Sequence, residues 1–156
     1  MSLEKVQEYF KNNQMEEKII VLENSSATVE QAALALGCMA MHIAKTMSFL
    51  LKDEAILIVT AGDVKIDNKK YKATFKQKAK MIPGDLVAKY IGHEPGGVCP
   101  FAINEGVKVY LDISLKRFEK VYPAAGNGHS AIELTIFELE KLSNSSGWVD
   151  VCKKVE

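Results

Sequence analysis

Residues 45–61, with the sequence KTMSFLLKDEAILIVTA, carry a clear signal for local structure. Two runs rich in apolar residues, 45–51 and 55–61, flank the polar turn Lys52-Asp53-Glu54. Two such runs joined by a short polar connection are typical of a β-hairpin. The same three charged residues interrupt the longest apolar stretch, 47–61, and we therefore expect no segment that spans a membrane.

Helix and strand patterns surround this hairpin without a regular strand–helix–strand period. Helical patterns run from Ser2 to Asn12-Asn13, from the Thr28 capping box to Gly37, and over 39–44, 68–80, 84–91 and 137–142. Strand patterns occupy 19–22, 107–113, 120–123 and 131–136, and a last apolar stretch covers 148–152. This irregular interleaving predicts an α+β fold built on a mixed sheet.

The composition is that of a soluble globular domain, with 47% hydrophobic and 26% charged residues, and we expect one domain over residues 1–156. Twenty basic and twenty acidic residues cancel, so any RNA contact requires a local basic patch. Three cysteines without a Cys-x-x-Cys pair argue against a disulfide framework and against a zinc knuckle. Together with an N-terminus that lacks an apolar signal core, they predict a cytoplasmic protein.

Familiar catalytic motifs are missing from the sequence. The three histidines, at 42, 93 and 129, form no His-Glu-x-x-His motif, so we expect no metal site. The sequence contains neither a Gly-x-Ser-x-Gly elbow nor a Walker loop. Residues 92–97 fail the dinucleotide pattern because they follow a predicted helix and contain Pro95. We therefore expect no cofactor.

The loop Gly96-Gly97-Val98-Cys99-Pro100 has a distinctive composition. Its glycines remove side chains where a ligand could approach the backbone, and Pro100 restricts the conformation of Cys99. A rigid loop with exposed amides can hold a carbonyl group or its developing oxyanion. Taken alone, however, such a cluster is more often a tight connection.

Lys45 lies at the start of an apolar strand pattern. Its side chain must either extend to solvent or point into a polar cleft. The residue pattern alone favours solvent.

Three blocks of sequence change this assessment. Residues 31–37 (QAALALG) with 43–49 (IAKTMSF) resemble the first signature of the YbaK/prolyl-tRNA synthetase-associated domain family. The loop from Gly92 through 96–101 (GGVCPF) is similar to that family's Gly-x-x-x-Pro loop, and 124–134 (AAGNGHSAIEL) is similar to its third signature. The blocks follow the family's order and spacing over most of residues 28–142.

The resemblance implies a free-standing, trans-acting aminoacyl-tRNA deacylase, with mischarged tRNA-Pro among its candidate substrates. It implies a strongly curled, barrel-like sheet with helices packed around it, and partners that are a mischarged aminoacyl-tRNA and a synthetase rather than DNA or a membrane. The family's catalytic lysine falls on Lys45, and its substrate-binding loop falls on Gly96, Gly97, Val98, Cys99 and Pro100. Cys99 stands where serine is common and Ala102 where glycine is common.

The family mechanism agrees with the residues present. An aminoacyl ester is already activated, so hydrolysis needs positioning and oxyanion stabilisation more than a protein nucleophile. Amides near Gly96, Gly97 and Val98 could hold the carbonyl. Lys45 could orient the substrate or stabilise negative charge, whereas action as a base would require a strongly lowered pKa. We favour the electrostatic role.

Each of three further features has two interpretations. Cys99 has no recognisable histidine partner, which favours a small apolar group lining the pocket over a nucleophile. His129, in the turn 126–129, could reach the ester or the terminal nucleotide, or could simply be exposed. The lysines at 65, 69, 70, 72, 76, 78 and 80 share one carboxylate, Asp67, and could contact acceptor-stem phosphates, although a solvated helix face explains them too.

Two other functions remain compatible with the sequence. One is a non-catalytic module that binds aminoacyl-tRNA or a synthetase, and the other is an esterase for small molecules. The presence of both Lys45 and the Gly-x-x-x-Pro loop favours the deacylase.

Overall fold

The computed structural model describes residues 2–155. Over this range its helices are α1 (Ser2–Asn12), α2 (Val29–Leu36), α3 (Asn68–Phe75), α4 (Gly84–Ile91) and α5 (Ile136–Leu142). Its longer strands are β2 (Ile43–Leu51), β3 (Glu54–Ala61), β5 (Lys108–Asp112) and β6 (Lys120–Pro123). Its short strands are β1 (Ile19–Val21), β4 (Val64–Ile66), β7 (Ser130–Ile132), β8 (Leu134–Thr135), β9 (Gly147–Val149) and β10 (Cys152–Lys154).

The predicted hairpin forms the centre of the main sheet. Strands β2 and β3 pair antiparallel from Ala44 opposite Ala61 to Leu51 opposite Glu54. All residues of β3 from Ala55 onward are buried, because β3 has a strand on each side and packed side chains on both faces. This double burial explains the uninterrupted apolar run in the sequence.

The main sheet has six strands in the order β8-β6-β2-β3-β5-β9. Pairs β2–β6, β3–β5 and β5–β9 are parallel, whereas β2–β3 and β6–β8 are antiparallel. The sheet curls into a half-barrel with helices packed around it. The predicted α+β class with a mixed, barrel-like sheet is confirmed.

Two predicted helices are confirmed, α1 by its buried face and α2 by the residues at its two ends. In α1, Val6 and Phe10 are fully buried on one face. At the start of α2, the amide of Gln31 donates to Thr28 Oγ1 at 3.1 Å and the amide of Thr28 donates to Gln31 Oε1 at 3.3 Å. This reciprocal pair is the predicted capping box. Gly37 then ends α2 in the left-handed conformation, with φ of 69°.

Helix α3 is shorter than the predicted 68–80. It ends at Phe75, and Lys76 follows with φ of 65°. The next residues pair with the edge of β2, because the Leu50 amide donates to the Lys80 carbonyl at 2.8 Å and the Ile82 amide to the Ser48 carbonyl at 3.1 Å. Backbone pairing with the sheet therefore replaces the last turns of the predicted helix.

Several predicted strand boundaries are also corrected. The predicted helical turn at 39–44 is a short 3-10 turn, Ala40–His42, after which β2 begins. The predicted strand 131–136 is divided into β7 and β8, and the last apolar stretch forms β9 and the start of β10. Strand β4 was not predicted.

Two short ribbons complete the strands. Strand β1 pairs antiparallel with β7, and β4 pairs antiparallel with β10. Each ribbon joins segments that are far apart in sequence. Within residues 2–155, no helix has the length and apolar character needed to cross a bilayer.

Candidate active site

A cleft with a volume of about 160 Å³ lies at the N-terminal end of β2. All three sequence blocks that carry the family resemblance line it. Ala32 and Lys45 come from the first block, Gly96 and Val98 from the second, and Ala131 from the third. The fold therefore brings segments that are far apart in the chain to one small site.

Lys45 extends along one side of this cleft. Its ammonium group donates a hydrogen bond to the backbone carbonyl of Val64 in β4. The side chain is partly buried, and burial lowers the pKa of Lys45, against the opposing influence of nearby Cys152 and Asp63. The Lys45 side chain therefore does not simply extend into solvent, as the residue pattern alone predicted.

Thr46 is a cleft residue that sequence analysis did not single out. Its hydroxyl oxygen Oγ1 is buried, and it has no hydrogen-bond partner in the part of the chain that the structure describes. A buried hydroxyl without a partner is uncommon, because desolvation of the group is then uncompensated.

The segment before α2 forms the opposite wall. Ser26 Oγ donates to the Ser130 carbonyl at 3.2 Å and accepts from the Ser130 amide at 3.1 Å, which fixes the wall to β7. Thr28 and Val29, at the N-terminus of α2, also line the cleft. The positive end of the helix dipole therefore lies beside the site and favours negative charge there.

Of the three candidate amides in the Gly-x-x-x-Pro loop, one is used inside the loop and two are not. Gly96 and Val98 line the cleft, and within residues 2–155 their amides make no hydrogen bond. The Gly97 amide donates to the Glu94 carbonyl at 3.1 Å and is used inside the turn. Gly97 is itself buried. The hypothesis that its amide holds a carbonyl is therefore corrected in favour of its two neighbours.

Gly97 has a different structural reason to be glycine. A Cβ atom built there would lie 2.4 Å from the backbone nitrogen and Cα of Asn127. This distance is well inside van der Waals contact, so the second and third sequence blocks meet backbone to backbone. Gly96, with φ of 91°, needs glycine for its conformation instead.

Cys99 belongs to the same loop, but it is fully buried and does not line the cleft. The expectation that no histidine lies beside it is wrong, because its Sγ is 3.5 Å from Nε2 of His93. Burial nevertheless raises the pKa of Cys99 to about 12. A protonated thiol without access to the cleft is unsuited to act as a nucleophile.

His93 connects the two ends of the loop. Its Nε2 lies 2.7 Å from the carbonyl oxygen of Phe101 and acts as the donor, since a carbonyl can only accept. The ring is fully buried, and burial is the main cause of the lowered pKa of His93. The neutral ring therefore fastens the segment 93–101 that contains the cleft amides. Pro100, also buried, does not line the cleft.

The remaining candidate, His129, is exposed in the turn beside the cleft and is not among its lining residues. The backbone of His129 supports the turn, because its amide donates to Asn127 Oδ1 at 2.9 Å and its carbonyl accepts from the Leu22 amide at 2.7 Å.

Within residues 2–155, no group of three or more His, Cys, Asp or Glu side chains is placed to hold a metal ion.

Comparison with known sequences gives the family. Residues 23–142 match the model of the aminoacyl-tRNA editing domain. The chain belongs to this family. The editing-domain segment includes α2 to α5 and all three blocks that line the cleft, whereas α1 and β10 lie outside it.

Relatives of the editing domain include a whole-length match and a partial one. The uncharacterized protein YwhH of Bacillus subtilis (strain 168) is 51% identical over 157 residues, which is 100% of both chains. A proline–tRNA ligase of Staphylococcus aureus (strain bovine RF122 / ET3-1) is 26% identical over 146 residues. That alignment covers 83% of this chain and 26% of the ligase, so the chain spans about a quarter of the ligase's length.

A solved structure supports the editing-domain fold. The crystal structure of "a putative trans-editing enzyme for prolyl tRNA synthetase" superposes with a TM-score of 0.87 at 25% identity, covering 97% of each chain. The predicted family resemblance is thereby confirmed, and so is the fold that it implied.

Proposed function

We propose that this protein is a trans-acting aminoacyl-tRNA deacylase formed by one domain over residues 1–156. It hydrolyses the ester that joins a wrong amino acid to tRNA, with mischarged tRNA-Pro as the first candidate because of the similarity to a proline–tRNA ligase and to the trans-editing structure. The observation that carries the proposal is that Lys45, Gly96 and Val98 line one cleft of about 160 Å³, and that the amides of the two loop residues make no hydrogen bond within residues 2–155.

The roles of these groups follow from the chemistry of the ester. During hydrolysis the carbonyl oxygen gains negative charge, and preorganised donors stabilise that charge. The amides of Gly96 and Val98 supply two such donors, and Lys45 supplies a fixed positive charge on the wall beside them. The N-terminus of α2 adds favourable potential.

Attack by water or by the neighbouring ribose hydroxyl fits the site better than attack by the protein. Cys99 is buried and protonated, and Lys45 is held by the Val64 carbonyl. The protein then contributes orientation and charge stabilisation, which are sufficient for an already activated ester.

The dimensions of the cleft favour a small amino acid. A cavity of roughly 150 Å³ is filled by a molecule the size of benzene, and this cleft, with about 160 Å³, must hold the ester group as well as the amino-acid side chain. Ala27, Ala32 and Ala131 form much of its wall. We therefore expect small aliphatic or hydroxyl-bearing aminoacyl groups to be preferred over aromatic ones.

A panel of mischarged tRNAs tests the proposal directly. Wild-type protein should deacylate tRNA-Pro carrying a small wrong amino acid in single-turnover assays, and a Lys45→Ala variant of equal thermal stability should not. Tight binding of aminoacyl-tRNA without turnover would instead support the non-catalytic module. Fast hydrolysis of simple esters with no gain from tRNA would support the small-molecule esterase.

A further inference from the structure

A lysine-rich surface adjoins the cleft, and we call it the basic face. It consists of β4, α3, the segment after α3, and β10, and the lysines used in the argument are Lys65, Lys69, Lys72, Lys78 and Lys153. All five side chains are exposed. Because the whole chain has a formal net charge of zero, this surface is a local concentration of charge that acids elsewhere balance.

The ribbon of β4 and β10 places two of these charges together. Lys65 and Lys153 are direct partners in the antiparallel pair, so their side chains project from the same side of the ribbon. Like charges in this position disfavour the folded state. An anionic ligand would relieve this repulsion.

Next to the ribbon, lysines from two segments surround a hollow. Asn68, Lys69, Lys72, Lys78 and Ala79 line this hollow, which has a volume of about 420 Å³. Among residues 2–155, no carboxylate lines it. Asp67, the nearest acid in sequence, accepts hydrogen bonds from the amides of Lys69 and Lys70 at 2.9 and 3.3 Å as the cap of α3.

The basic face is connected to the cleft through one carbonyl group. The Lys45 ammonium donates to the carbonyl of Val64, and Lys65 is the next residue along β4. From there α3 continues for eight residues, or about 12 Å at 1.5 Å per residue. The basic face therefore begins at the residue next to the carbonyl that holds Lys45.

We propose that the basic face binds the sugar–phosphate backbone of the RNA helix that carries the aminoacyl ester, while the ester itself occupies the cleft. This inference rests on the proposed function. Lysine is a point charge suited to phosphate, and phosphate contacts position a nucleic acid without reading its sequence. The basic face therefore supplies affinity and orientation, and choice of substrate remains with the cleft.

Binding of RNA without an ester tests this surface independently of catalysis. The probe is an uncharged acceptor-stem hairpin with a fluorescent label, measured by anisotropy between 50 and 200 mM salt. The test protein carries Lys65→Gln, Lys72→Gln and Lys153→Gln. A control with the same change in net charge carries Lys11→Gln, Lys89→Gln and Lys141→Gln, which are exposed positions on α1, α4 and α5.

We expect the basic-face variant to bind at least about tenfold more weakly than wild type and the control to bind within about twofold. The slope of log affinity against log salt should fall by about 2 for the variant, since each lost phosphate contact removes roughly 0.7–0.9. Thermal melts should show both variants folded. Equal affinity and slope for the variant and the control would overturn the proposal.

Hydrolysis measurements separate this inference from the proposed function. On mischarged tRNA the variant should lose kcat/KM, whereas on an aminoacyl-adenosine ester, which lacks the stem, it should match wild type. If wild-type protein deacylates mischarged tRNA and the variant does so equally well, the proposed RNA-binding role of the basic face is wrong and the proposed function is retained. If wild-type protein binds the hairpin through the basic face but hydrolyses no mischarged tRNA, the proposed function is wrong and the RNA-binding role of the basic face is retained.

Discussion

Gly97 and Asn127 lie so close together that a Cβ atom on Gly97 would be 2.4 Å from the backbone nitrogen of Asn127. Both flank the candidate active site, one in the Gly-x-x-x-Pro loop and the other in the turn before β7. Gly128, the next residue of that turn, is different, because a Cβ atom there would be 3.5 Å from Ala27 Cβ, an ordinary contact. The two glycines therefore form a matched pair for substitution.

Gly97→Ala should destabilise the protein by about 1–3 kcal/mol, the usual range for forced overpacking. It should also lower the single-turnover rate, because the Gly96 and Val98 amides would shift with the loop. Gly128→Ala should keep both the melting temperature and the rate close to wild type. Urea unfolding and deacylation of the same preparations provide the check, and a fully stable Gly97→Ala protein would contradict the packing argument.

Lys45→Met tests whether the buried charge serves catalysis or stability. Burial lowers the pKa of Lys45, so the charged form is disfavoured in the fold and an apolar side chain of similar length should maintain or raise the melting temperature. The deacylation rate should fall by about 100-fold or more, the scale of one electrostatic group. Wild-type turnover by a folded Lys45→Met protein would remove Lys45 from the mechanism.

Cys99→Ser should retain most activity, within about threefold of wild type. Its hydroxyl can take the position of the buried thiol near the Phe101 carbonyl, and no covalent role is lost. Because the pKa of Cys99 is raised to about 12, native Cys99 should also resist iodoacetamide at pH 8. Mass spectrometry locates the modified cysteines, and a trapped thioester on Cys99 would refute non-covalent hydrolysis.

His93 should make stability sensitive to mild acid. Burial, together with nearby Lys5, lowers the pKa of His93, so below about pH 6.5 the unfolded chain binds more protons there than the folded one. The stabilising contribution is complete above that pH and is lost as pH falls through the lowered pKa. His93→Gln, whose amide can still donate to the Phe101 carbonyl, should lose less stability between pH 7.5 and 5.0. Urea unfolding at both pH values measures the difference, and identical losses would exclude this contribution from His93.

Local sequence signals were sufficient for elements that depend on local interactions. The hairpin was predictable because β3 is buried on both faces and follows β2 directly across a polar turn. The start of α2 was predictable because Thr28 and Gln31 are close in sequence and cap the helix reciprocally. The end of α3 was not, because pairing of Lys80 and Ile82 with β2 prevails over the helical pattern.

Contacts between distant segments were beyond local sequence signals. Strand β4 has only three residues, and its partner β10 lies more than 80 residues further along the chain. The neighbours His93 and Cys99 are separated by five residues that include two glycines and a proline, so no periodic spacing indicates that they meet. The family resemblance placed Lys45 and the loop, whereas Thr46 and Ser26 emerged only from the geometry of the cleft.

The pairing of β10 with β4 also has a consequence for the timing of translation. Strand β4 carries the carbonyl that holds the Lys45 ammonium, and residues 152–154 leave the ribosome long after residues 43–66. The growing chain thus exposes Lys45 before its support can form. We expect nascent chains arrested before residue 150 to show no deacylation, and chains released after residue 154 to be active.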